Sequence, residues 1–414
     1  MTRFSLNGKL NAAELQKVFP VLSRDIRGKK LTYLDSAATT LKPLRVIDAV
    51  DRYYRHGTAN IHRGVHLLSE EATSLYESTR TTVKDFLNAA DEREIVLTSG
   101  TTAGINLVAK SFVKSRLKEG DEILITTMEH HANIVPWQML RDETGCRLVV
   151  APVREDGSLD LPAFKSLITS RTKFISCTWI SNALGVINPI KELVIAAKSA
   201  GVPIMIDAAQ AVAHEPIDVQ GLGCDFLVFS GHKLFGPTGV GVLFGKMEHL
   251  EIMPPQIGGG DMIKSVSFEK TVYADAPSKF EAGTPDIAAV IGLGEAIRFV
   301  MEDVGFALIQ AHEQVLLGAA ELALRDVPNL IILGTSHPKA PIFSMVVGKI
   351  HPHDVGTILD LQGVAVRTGH HCAQPLLARF GVPATVRASF SIYNDQEDIK
   401  ALIQGLAKTQ ELFA

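Results

Sequence analysis

Short runs of apolar, often β-branched residues recur through the middle of the chain, and they constrain its fold more than any other feature. Helical stretches such as AGINLVAKSFVKSRL and PIKELVIAAKSAG separate several of these runs, which lie at 94–100, 121–127, 146–153, 172–181, 203–210, 225–233 and 239–245. Continuous apolar strands that alternate with helices are typical of a mainly parallel sheet buried on both faces. The pattern therefore predicts an α/β fold.

The character of the sequence changes after about residue 300. A long amphipathic stretch, EDVGFALIQAHEQVLLGAAELALRDV, precedes strand-like IFSMVVGK and VAVRTG and a last helical stretch, EDIKALIQGLAKTQELF. The chain has 414 residues, more than a single core usually holds. We therefore expect a second, smaller α+β domain at the C-terminal end.

Composition argues against several kinds of partner. The net charge is −4 and no basic cluster stands out, so a nucleic-acid partner is not expected. The stretch MTRFSLNGKLNAAELQKVF lacks a long apolar run, and we predict neither a signal peptide nor a membrane span. The four cysteines form no CxxC pair, so neither a disulfide framework nor a metal cluster is predicted. These features favour a cytoplasmic protein.

Two polar residues follow neighbouring apolar runs. Asp207 in PIMIDAAQ ends an apolar strand, at the edge where parallel sheets bind ligands, although a lone Asp there could equally cap a helix. Lys233 follows DFLVF in FSGHKLFGPTG. A lone lysine is usually a surface residue, but a lysine at the end of a buried strand indicates a functional role. Pyridoxal phosphate enzymes pair a Schiff-base lysine with an acid on the pyridine nitrogen. Lys233 and Asp207 fit these two roles.

Phosphate ligands are the next requirement of such a site. SGTTAGIN places Gly100, Thr101 and Thr102 at a strand-to-helix turn, where backbone N–H groups and hydroxyls bind anions or simply cap the helix. Ser230 and His232 lie just before Lys233 and could add donors. In MEHHANIVPW, His130 follows another strand and could stack on a ring, or be an ordinary loop histidine.

One cysteine lies in an unusual setting. Cys372 belongs to RTGHHCAQPL, a polar, turn-prone stretch in which we expect an exposed thiol. His370 and His371 beside it could assist ionisation of the thiol if they were protonated. The other cysteines lie in or beside apolar runs, where a buried, inert thiol is the usual outcome.

These motifs occur together in a known family. YLDSAATTLKP, NIHRGVH, SGTTAGIN, MEHHANIVPWQ, SNALGVINP, IDAAQAV, FSGHKLFGPTGVGVLFG, KFEAGTPD, RTGHHCAQPL and VRASFSIYN follow one another over roughly residues 15–410. The chain thus resembles the SUF/CSD-type (group II) cysteine desulfurases, which are fold-type I pyridoxal phosphate enzymes of the class-V aminotransferase family. The resemblance implies an N-terminal segment at 1–45 that packs with the small domain. It also implies a large domain at 46–298, built on a mainly parallel seven-stranded sheet, and a small α+β domain at 299–414.

The resemblance also implies a role for each motif residue. The catalytic residues would be Lys233, which binds the cofactor covalently, His130, which stacks on its ring and moves protons, and the nucleophile Cys372. The other cofactor ligands would be Asp207 on the pyridine nitrogen, Gln210 on the ring oxygen, and a phosphate-binding set of Thr101, Thr102, Ser230, His232 and Thr284 of the partner subunit. Arg387 would bind the substrate carboxylate with Asn182 nearby, and His62 would lie near the pocket or the dimer contact.

The implied reaction takes sulfur from L-cysteine. Lys233 would remove the Cα proton, and Cys372 would attack the substrate sulfur, which leaves L-alanine and a persulfide on the enzyme. A homodimer is expected, and a SufE-like or SufU-like acceptor would take the sulfur for iron–sulfur cluster assembly. His351 and His353 in IHPHD are predicted to engage a docked zinc acceptor.

Several alternatives stay open at this stage. The same scaffold could act as a selenocysteine lyase, or as an aminotransferase-like or kynureninase-like enzyme that does not need Cys372. A non-catalytic assembly scaffold is a further possibility, although the presence of Lys233, Asp207 and Arg387 argues against it. Ala103 and Trp179 depart from the residues common in relatives and are expected to border the pocket.

Overall fold

The computed structural model describes residues 3–413, and its elements form two main sheets with helices around them. The strands are β1 Ser5–Leu6, β2 Lys9–Leu10, β3 Asp25–Ile26, β4 Lys29–Lys30, β5 Thr32–Tyr33, β6 Ile95–Thr98, β7 Glu122–Thr126, β8 Arg147–Ala151, β9 Thr172–Thr178, β10 Ile204–Asp207, β11 Phe226–Ser230, β12 Gly241–Gly245, β13 Ile263–Val266, β14 Thr271–Tyr273, β15 Leu330–Leu333, β16 Ile342–Val347, β17 Val364–Ala365, β18 Arg367–Gly369 and β19 Thr385–Ser389. The helices are α1 Ala12–Gln16, α2 Leu44–Arg52, α3 Leu67–Leu87, α4 Thr101–Val108, α5 Val135–Thr144, α6 Leu161–Ser166, α7 Ile190–Ser199, α8 Val219–Leu222, α9 Met247–Ile252, α10 Ile287–Arg298, α11 Phe306–Arg325, α12 Pro352–Leu361, α13 Gln374–Arg379 and α14 Gln396–Leu412.

The larger sheet has seven strands in the order β6-β12-β11-β10-β9-β7-β8. Strands β11, β10, β9, β7 and β8 run parallel to their neighbours in this group, and β12 runs antiparallel to both β11 and β6. Every residue of β10, β11 and β12 is buried, as expected for strands covered by helices on both faces. The predicted mainly parallel seven-stranded sheet is confirmed.

The register of this sheet brings the ends of its strands together. Asp207, at the end of β10, lies opposite Val228 of β11, and β11 ends two residues later at Ser230. Strand β12 then passes very close to the turn that follows β6, because a Cβ on Gly241 would lie 2.5 Å from the Cα of Gly100. Only glycine allows the backbones to approach so closely, and the approach places the N-terminus of α4 beside the end of β11.

The smaller sheet is antiparallel and has the order β15-β16-β19-β18. Its apolar core is formed with α11, α12 and α14, whose buried residues include Leu317, Leu359 and Leu402. Strand β18 leads directly into the loop that carries Cys372. This arrangement matches the α+β unit expected after residue 300.

The N-terminal segment joins both parts of the molecule. Strand β5 pairs in parallel with β17, and the ring of Phe19 packs against Phe235, Phe299 and Tyr393. The domain boundaries at 45/46 and 298/299 stay a prediction, and residues 1, 2 and 414 of the outer segments lie outside the described residues. From residue 3 to residue 413, no helix is long and apolar enough to cross a membrane.

Candidate active site

A cavity of about 450 Å³ lies where the polar strand ends of the large sheet face the Cys372 loop. The cavity brings together all but two of the predicted site residues. Those that line it are Thr101, Thr102, His130, Asn182, Asp207, Gln210, Ser230, His232, Lys233, Cys372 and Arg387. The sequence positions of these side chains span most of the chain, so the fold is what assembles them.

Four other positions lie outside this cavity. His62 does not line it within one chain; its Nε2 lies 2.8 Å from a carboxylate oxygen of Glu77 and its ring packs edge-on against Tyr76. The other expected position of His62, at the dimer contact, stays a prediction. Thr284 is exposed on the surface of its own chain; the prediction assigned it to the partner's site. Neither Ala103 nor Trp179 lines the cavity, so the expectation that they border it is wrong within one chain.

Asp207 and Lys233 both line the cavity. Asp207 is 4% exposed, and its Oδ1 accepts a hydrogen bond of 2.9 Å from the N–H of Ala209. Burial raises the pKa of Asp207, while that hydrogen bond and the ammonium of Lys233 act in the opposite direction. Burial lowers the pKa of Lys233 to about 8, against the stabilising effect of the Asp207 carboxylate. An amine in this range can gain or lose a proton near neutral pH.

One end of the cavity is suited to an anion. The N–H of Thr101, the first residue of α4, donates to Ser230 Oγ at 2.8 Å, and the two hydroxyl oxygens are also 2.8 Å apart. The positive end of the helix dipole and these hydroxyls favour a phosphate group. Burial and the neighbouring Lys233 and Lys42 lower the pKa of His232 to about 4, so its imidazole is neutral at physiological pH.

His130 stands at the N-terminal end of a short turn beside the cavity, where its Nδ1 accepts from the N–H of Ala132 at 3.0 Å. Burial, followed by the charge of Lys233, lowers its pKa to about 4. The imidazole is therefore neutral at physiological pH and can present an uncharged ring face to a ligand. His130 therefore lines the cavity, and its stacking role stays a prediction.

Sequence reasoning missed the carboxyl group next to His130. Glu129 is fully buried and accepts from Thr126 Oγ1 at 2.6 Å, Asn133 Nδ2 at 2.6 Å and the N–H of Thr178 at 3.1 Å. Burial raises its pKa to about 8 despite these hydrogen bonds. An acidic residue three positions after the apolar strand EILIT was the signal that could have found it.

A buried guanidinium also lines the cavity. Arg387 is 2% exposed; its Nη1 donates to the carbonyl of Asn182 at 2.9 Å and its Nη2 to Asp35 Oδ1 at 3.2 Å. Its buried Nε has no hydrogen-bond partner among residues 3–413. Arg367, which also lines the cavity, pairs with Asp35 at 2.8 Å. The sequence analysis missed Asp35 and Arg367, although both belong to quoted motifs. A buried donor without a partner beside a cavity is suited to an anionic ligand.

The Cys372 loop closes the cavity on the small-sheet side. Cys372 is exposed and the other three cysteines are buried, as expected. His371 and Cys372 both have left-handed backbone conformations, with φ of 52° and 55°. The loop is tied to the large sheet by Asn182 Nδ2, which donates to the carbonyl of His371 at 2.7 Å, and by the N–H of His131, which donates to the carbonyl of Cys372 at 2.8 Å.

The suggestion that His371 supplies a positive charge to the thiol is wrong. The ring of His371 is 6% exposed, and its Nε2 lies 2.7 Å from Thr385 Oγ1. Burial, followed by the charges of Arg387 and Arg367, lowers its pKa to about 3. A neutral His371 shapes the loop and does not add charge to it.

This set of groups fits pyridoxal phosphate. Lys233 and Asp207 bring an amine and a carboxylate to the cavity, and an anion site lies at the N-terminus of α4. The guanidinium of Arg387 also lines the cavity, and its buried Nε has no hydrogen-bond partner among the described residues. Each of these groups has a counterpart in the cofactor or in an amino-acid substrate. The fold and the site together define a pyridoxal-phosphate-dependent enzyme of fold type I.

Comparisons with known proteins identify the family. The model of the family described as aminotransferase class-V matches residues 32–402. A cysteine desulfurase of Yersinia pestis (strain Pestoides F) is 49% identical over 395 residues, which cover 95% of this chain and 97% of that protein. The crystal structure of the cysteine desulfurase CsdA (S-sulfonic acid) from Escherichia coli superimposes with a TM-score of 0.90 at 40% identity, covering 97% of this chain and 99% of the other. The apo cysteine desulfurase of Thermococcus onnurineus NA1 gives a TM-score of 0.91 at 37% identity, covering 100% and 99%. The chain belongs to the aminotransferase class-V family and, within it, to the cysteine desulfurases.

Proposed function

We propose that this enzyme removes sulfur from L-cysteine and that Cys372 is the residue that receives it. The observation that carries the proposal is the position of an exposed thiol on the same cavity as Lys233 and Arg387. In the balanced reaction, L-cysteine and the Cys372 thiol yield L-alanine and a persulfide on Cys372. The substrate Cβ–S bond breaks and one S–S bond forms. Of the two thiol protons, one is balanced by the new hydrogen of the alanine methyl group and the other by the proton of the persulfide.

We propose that Lys233, Asp207, Gln210 and His130 hold the pyridine ring of the cofactor, and that Thr101, Thr102, Ser230 and His232 bind its phosphate. Thr284 of the partner subunit is proposed as a further phosphate ligand. When bound, pyridoxal phosphate withdraws electrons from the substrate and makes its Cα proton acidic. The buried Asp207 carboxylate favours a positive charge beside it, which supports a protonated pyridine nitrogen there.

The protein's own groups divide the remaining tasks. Arg387 binds the substrate carboxylate through its free Nε, which fixes the orientation of the amino acid. The Nζ of Lys233 takes the Cα proton, a role that its lowered pKa of about 8 supports. The Sγ of Cys372 then attacks the substrate sulfur as a thiolate.

We further propose that the persulfide passes to a SufE-like or SufU-like acceptor protein for iron–sulfur cluster assembly, and that the enzyme works as a homodimer. The exposure of Cys372 supports a transfer to another protein. His353 is exposed at the start of α12, where a zinc-binding acceptor could engage it, whereas the side chain of His351 accepts from the N–H of His353. Unchanged sulfur transfer to a zinc acceptor by His353→Ala would reject that contact. All four cysteines are free thiols, which supports a cytoplasmic location.

The decisive experiment is a product assay. The holoenzyme is incubated with L-cysteine, and alanine, sulfide and protein-bound persulfide are measured for the natural chain and for Cys372→Ser. Alanine and a persulfide that maps to Cys372 are expected only from the natural chain. Equal alanine formation by both proteins would refute the role of Cys372.

A further inference from the structure

Four donors from the N-terminal segment converge on one backbone carbonyl, that of His232. They are the N–H and the Oγ1 of Thr40, both at 3.1 Å, the Oγ1 of Thr39 at 3.1 Å, and the Nζ of Lys42 at 3.0 Å. A carbonyl oxygen has two lone pairs, so this acceptor is more than saturated. The carbonyl belongs to the peptide that joins His232 to Lys233, the residue proposed to bind the cofactor.

Lys42 is unusual among these donors because it carries a charge. Its ammonium is partly buried, donates also to the carbonyl of Thr40 and to Thr39 Oγ1, and pairs with no carboxylate among residues 3–413. Burial lowers its pKa to about 8. Removing an ammonium from water without a counter-ion is unfavourable, so its position needs a compensating role.

The same segment fixes other parts of the turn around Lys233. Thr40 Oγ1 accepts from the N–H of Phe235 at 2.7 Å, and Phe235 has a left-handed φ of 60°. The carbonyl of Ala37 accepts from Gln210 Nε2 at 2.7 Å. Residues 37–42 therefore hold the backbone on both sides of Lys233 and one further side chain of the cavity.

We propose that Lys42 is a positioning residue for Lys233. Its charged hydrogen bond fixes the orientation of the His232–Lys233 peptide, and this orientation aims the Lys233 side chain into the cavity. The inference rests on the proposed function of Lys233. It predicts a loss in the proton-transfer and cofactor-capture steps that Lys233 performs, and a small effect on substrate binding, because Lys42 does not touch Arg387.

The test compares Lys42→Met, which removes the charge at similar length, with Lys42→Arg, which keeps it. Lys339→Met is the matched control, because Lys339 is also buried, has a pKa lowered to about 8 by burial and donates to a single backbone carbonyl, that of Gly334, outside the cavity. Each holoenzyme is measured for kcat and KM with L-cysteine, for the rate at which hydroxylamine bleaches the visible cofactor band, and for its unfolding temperature.

We expect Lys42→Met to lower kcat about tenfold with KM changed less than about twofold, since a misplaced catalytic group costs turnover and not ground-state binding. Bleaching should be about fivefold faster, because a misaimed amine recaptures the cofactor less often. Lys42→Arg should restore most of both values. Lys339→Met should unfold at a lower temperature, with kcat and the bleaching rate of the natural enzyme.

Natural kcat and bleaching in Lys42→Met would overturn the inference, as would equal losses in Lys42→Met and Lys339→Met, which would indicate a purely structural role. If Lys42→Met does not fold, Lys42→Gln is measured against the same criteria. The proposed function is tested separately by Lys233→Ala. A visible band that survives Lys233→Ala refutes that function, whereas a band lost in Lys233→Ala together with natural kcat and bleaching in Lys42→Met refutes the role of Lys42 alone.

Discussion

The two ends of the active-site cavity are built in opposite ways. At the cofactor end, Asp207 and Gln210 are 4% and 5% exposed, extend from the ends of buried strands, and hydrogen-bond within the protein. At the other end, Cys372 is exposed on a loop in which two consecutive non-glycine residues adopt positive φ. Such conformations cost roughly 1–2 kcal/mol per residue, so other contacts must hold this loop in place.

The difference reflects two tasks. Groups that bind a cofactor act best when they are fixed in advance, because no reorganisation is then needed during the reaction. A thiol that receives sulfur inside the cavity and delivers it outside must remain accessible both to the substrate and to the sulfur acceptor. Changes at the cofactor end are therefore expected to abolish all chemistry, whereas changes in the loop are expected to abolish only the transfer of sulfur.

The largest effect is expected from Lys233→Ala. Without the amine, the covalent attachment and the base are both lost, and turnover of L-cysteine should fall by at least about 10³-fold. The visible absorption band of the holoenzyme should disappear as well. Absorption spectra and alanine assays check the two losses, and turnover within tenfold of the natural enzyme would contradict the assignment.

Cys372→Ser should separate the two ends of the cavity. We expect alanine formation from L-cysteine to fall about 10²-fold or more, since a hydroxyl is a far weaker nucleophile than a thiolate. Exchange of the substrate Cα proton with deuterated solvent should persist, because Lys233 and Arg387 are untouched. Loss of exchange together with turnover would show that the loop is part of the cofactor site after all.

The same variant distinguishes the selenium alternative. Full activity of Cys372→Ser on L-selenocysteine, with loss of activity on L-cysteine, would favour a selenocysteine lyase. The buried Cys146 provides the matched control, because its thiol does not reach the cavity. We expect Cys146→Ser to turn over both substrates at natural rates.

A buried ion pair between His214 and Glu313 contributes to the stability of the cofactor end. His214, just beyond Gln210, has its Nδ1 2.9 Å from both carboxylate oxygens of Glu313 on α11. Burial opposes the charged imidazole, but the carboxylate of Glu313 outweighs it and the pKa of His214 is raised. Its stabilising contribution is therefore complete below the unfolded pKa of about 6.5 and is lost as pH rises through the higher folded value.

His214→Gln should accordingly lower the free energy of unfolding by about 3 kcal/mol near pH 6. This deficit should shrink at alkaline pH, as measured by denaturant unfolding of the holoenzyme. His312→Gln is the control: burial lowers the pKa of His312, so its contribution is lost as pH falls and the deficit has the opposite pH dependence. A His214→Gln deficit that grows with pH would contradict the ion pair.

The sequence could predict the strand-end residues of this site, but it could not predict the contact of Asp35 or the conformation of the loop. Asp207, Ser230 and Lys233 were predictable because apolar runs define strands, and parallel strands bring their polar ends to one edge. The contact of Asp35 with Arg387 was not predictable from the sequence, since the two residues are 352 positions apart. They meet because the N-terminal segment pairs with the small sheet. The left-handed residues of the loop also leave no pattern, because the conformation of non-glycine residues there is imposed by tertiary contacts.

The smallest effect is expected from the residue that joins the two ends. Asn182 donates from Nδ2 to the carbonyl of His371, and its own backbone carbonyl accepts from Arg387, so a side-chain change removes the contact with the loop and keeps the contact with Arg387. Asn182→Ala should release one of the hydrogen bonds that hold the loop to the large-sheet side of the cavity and lower the rate of persulfide formation about tenfold. The visible band and the Cα exchange rate should be unchanged. Rapid-quench trapping measures the rate of persulfide formation, and deuterium exchange measures the Cα exchange rate.

Asn182→Asp replaces the amide donor with a carboxylate that repels the His371 carbonyl, so persulfide formation in this variant should be at least as slow as in Asn182→Ala. A fall in Cα exchange equal to the fall in persulfide formation would mean that Asn182 acts on the substrate and not on the loop, and that the two ends are one rigid unit.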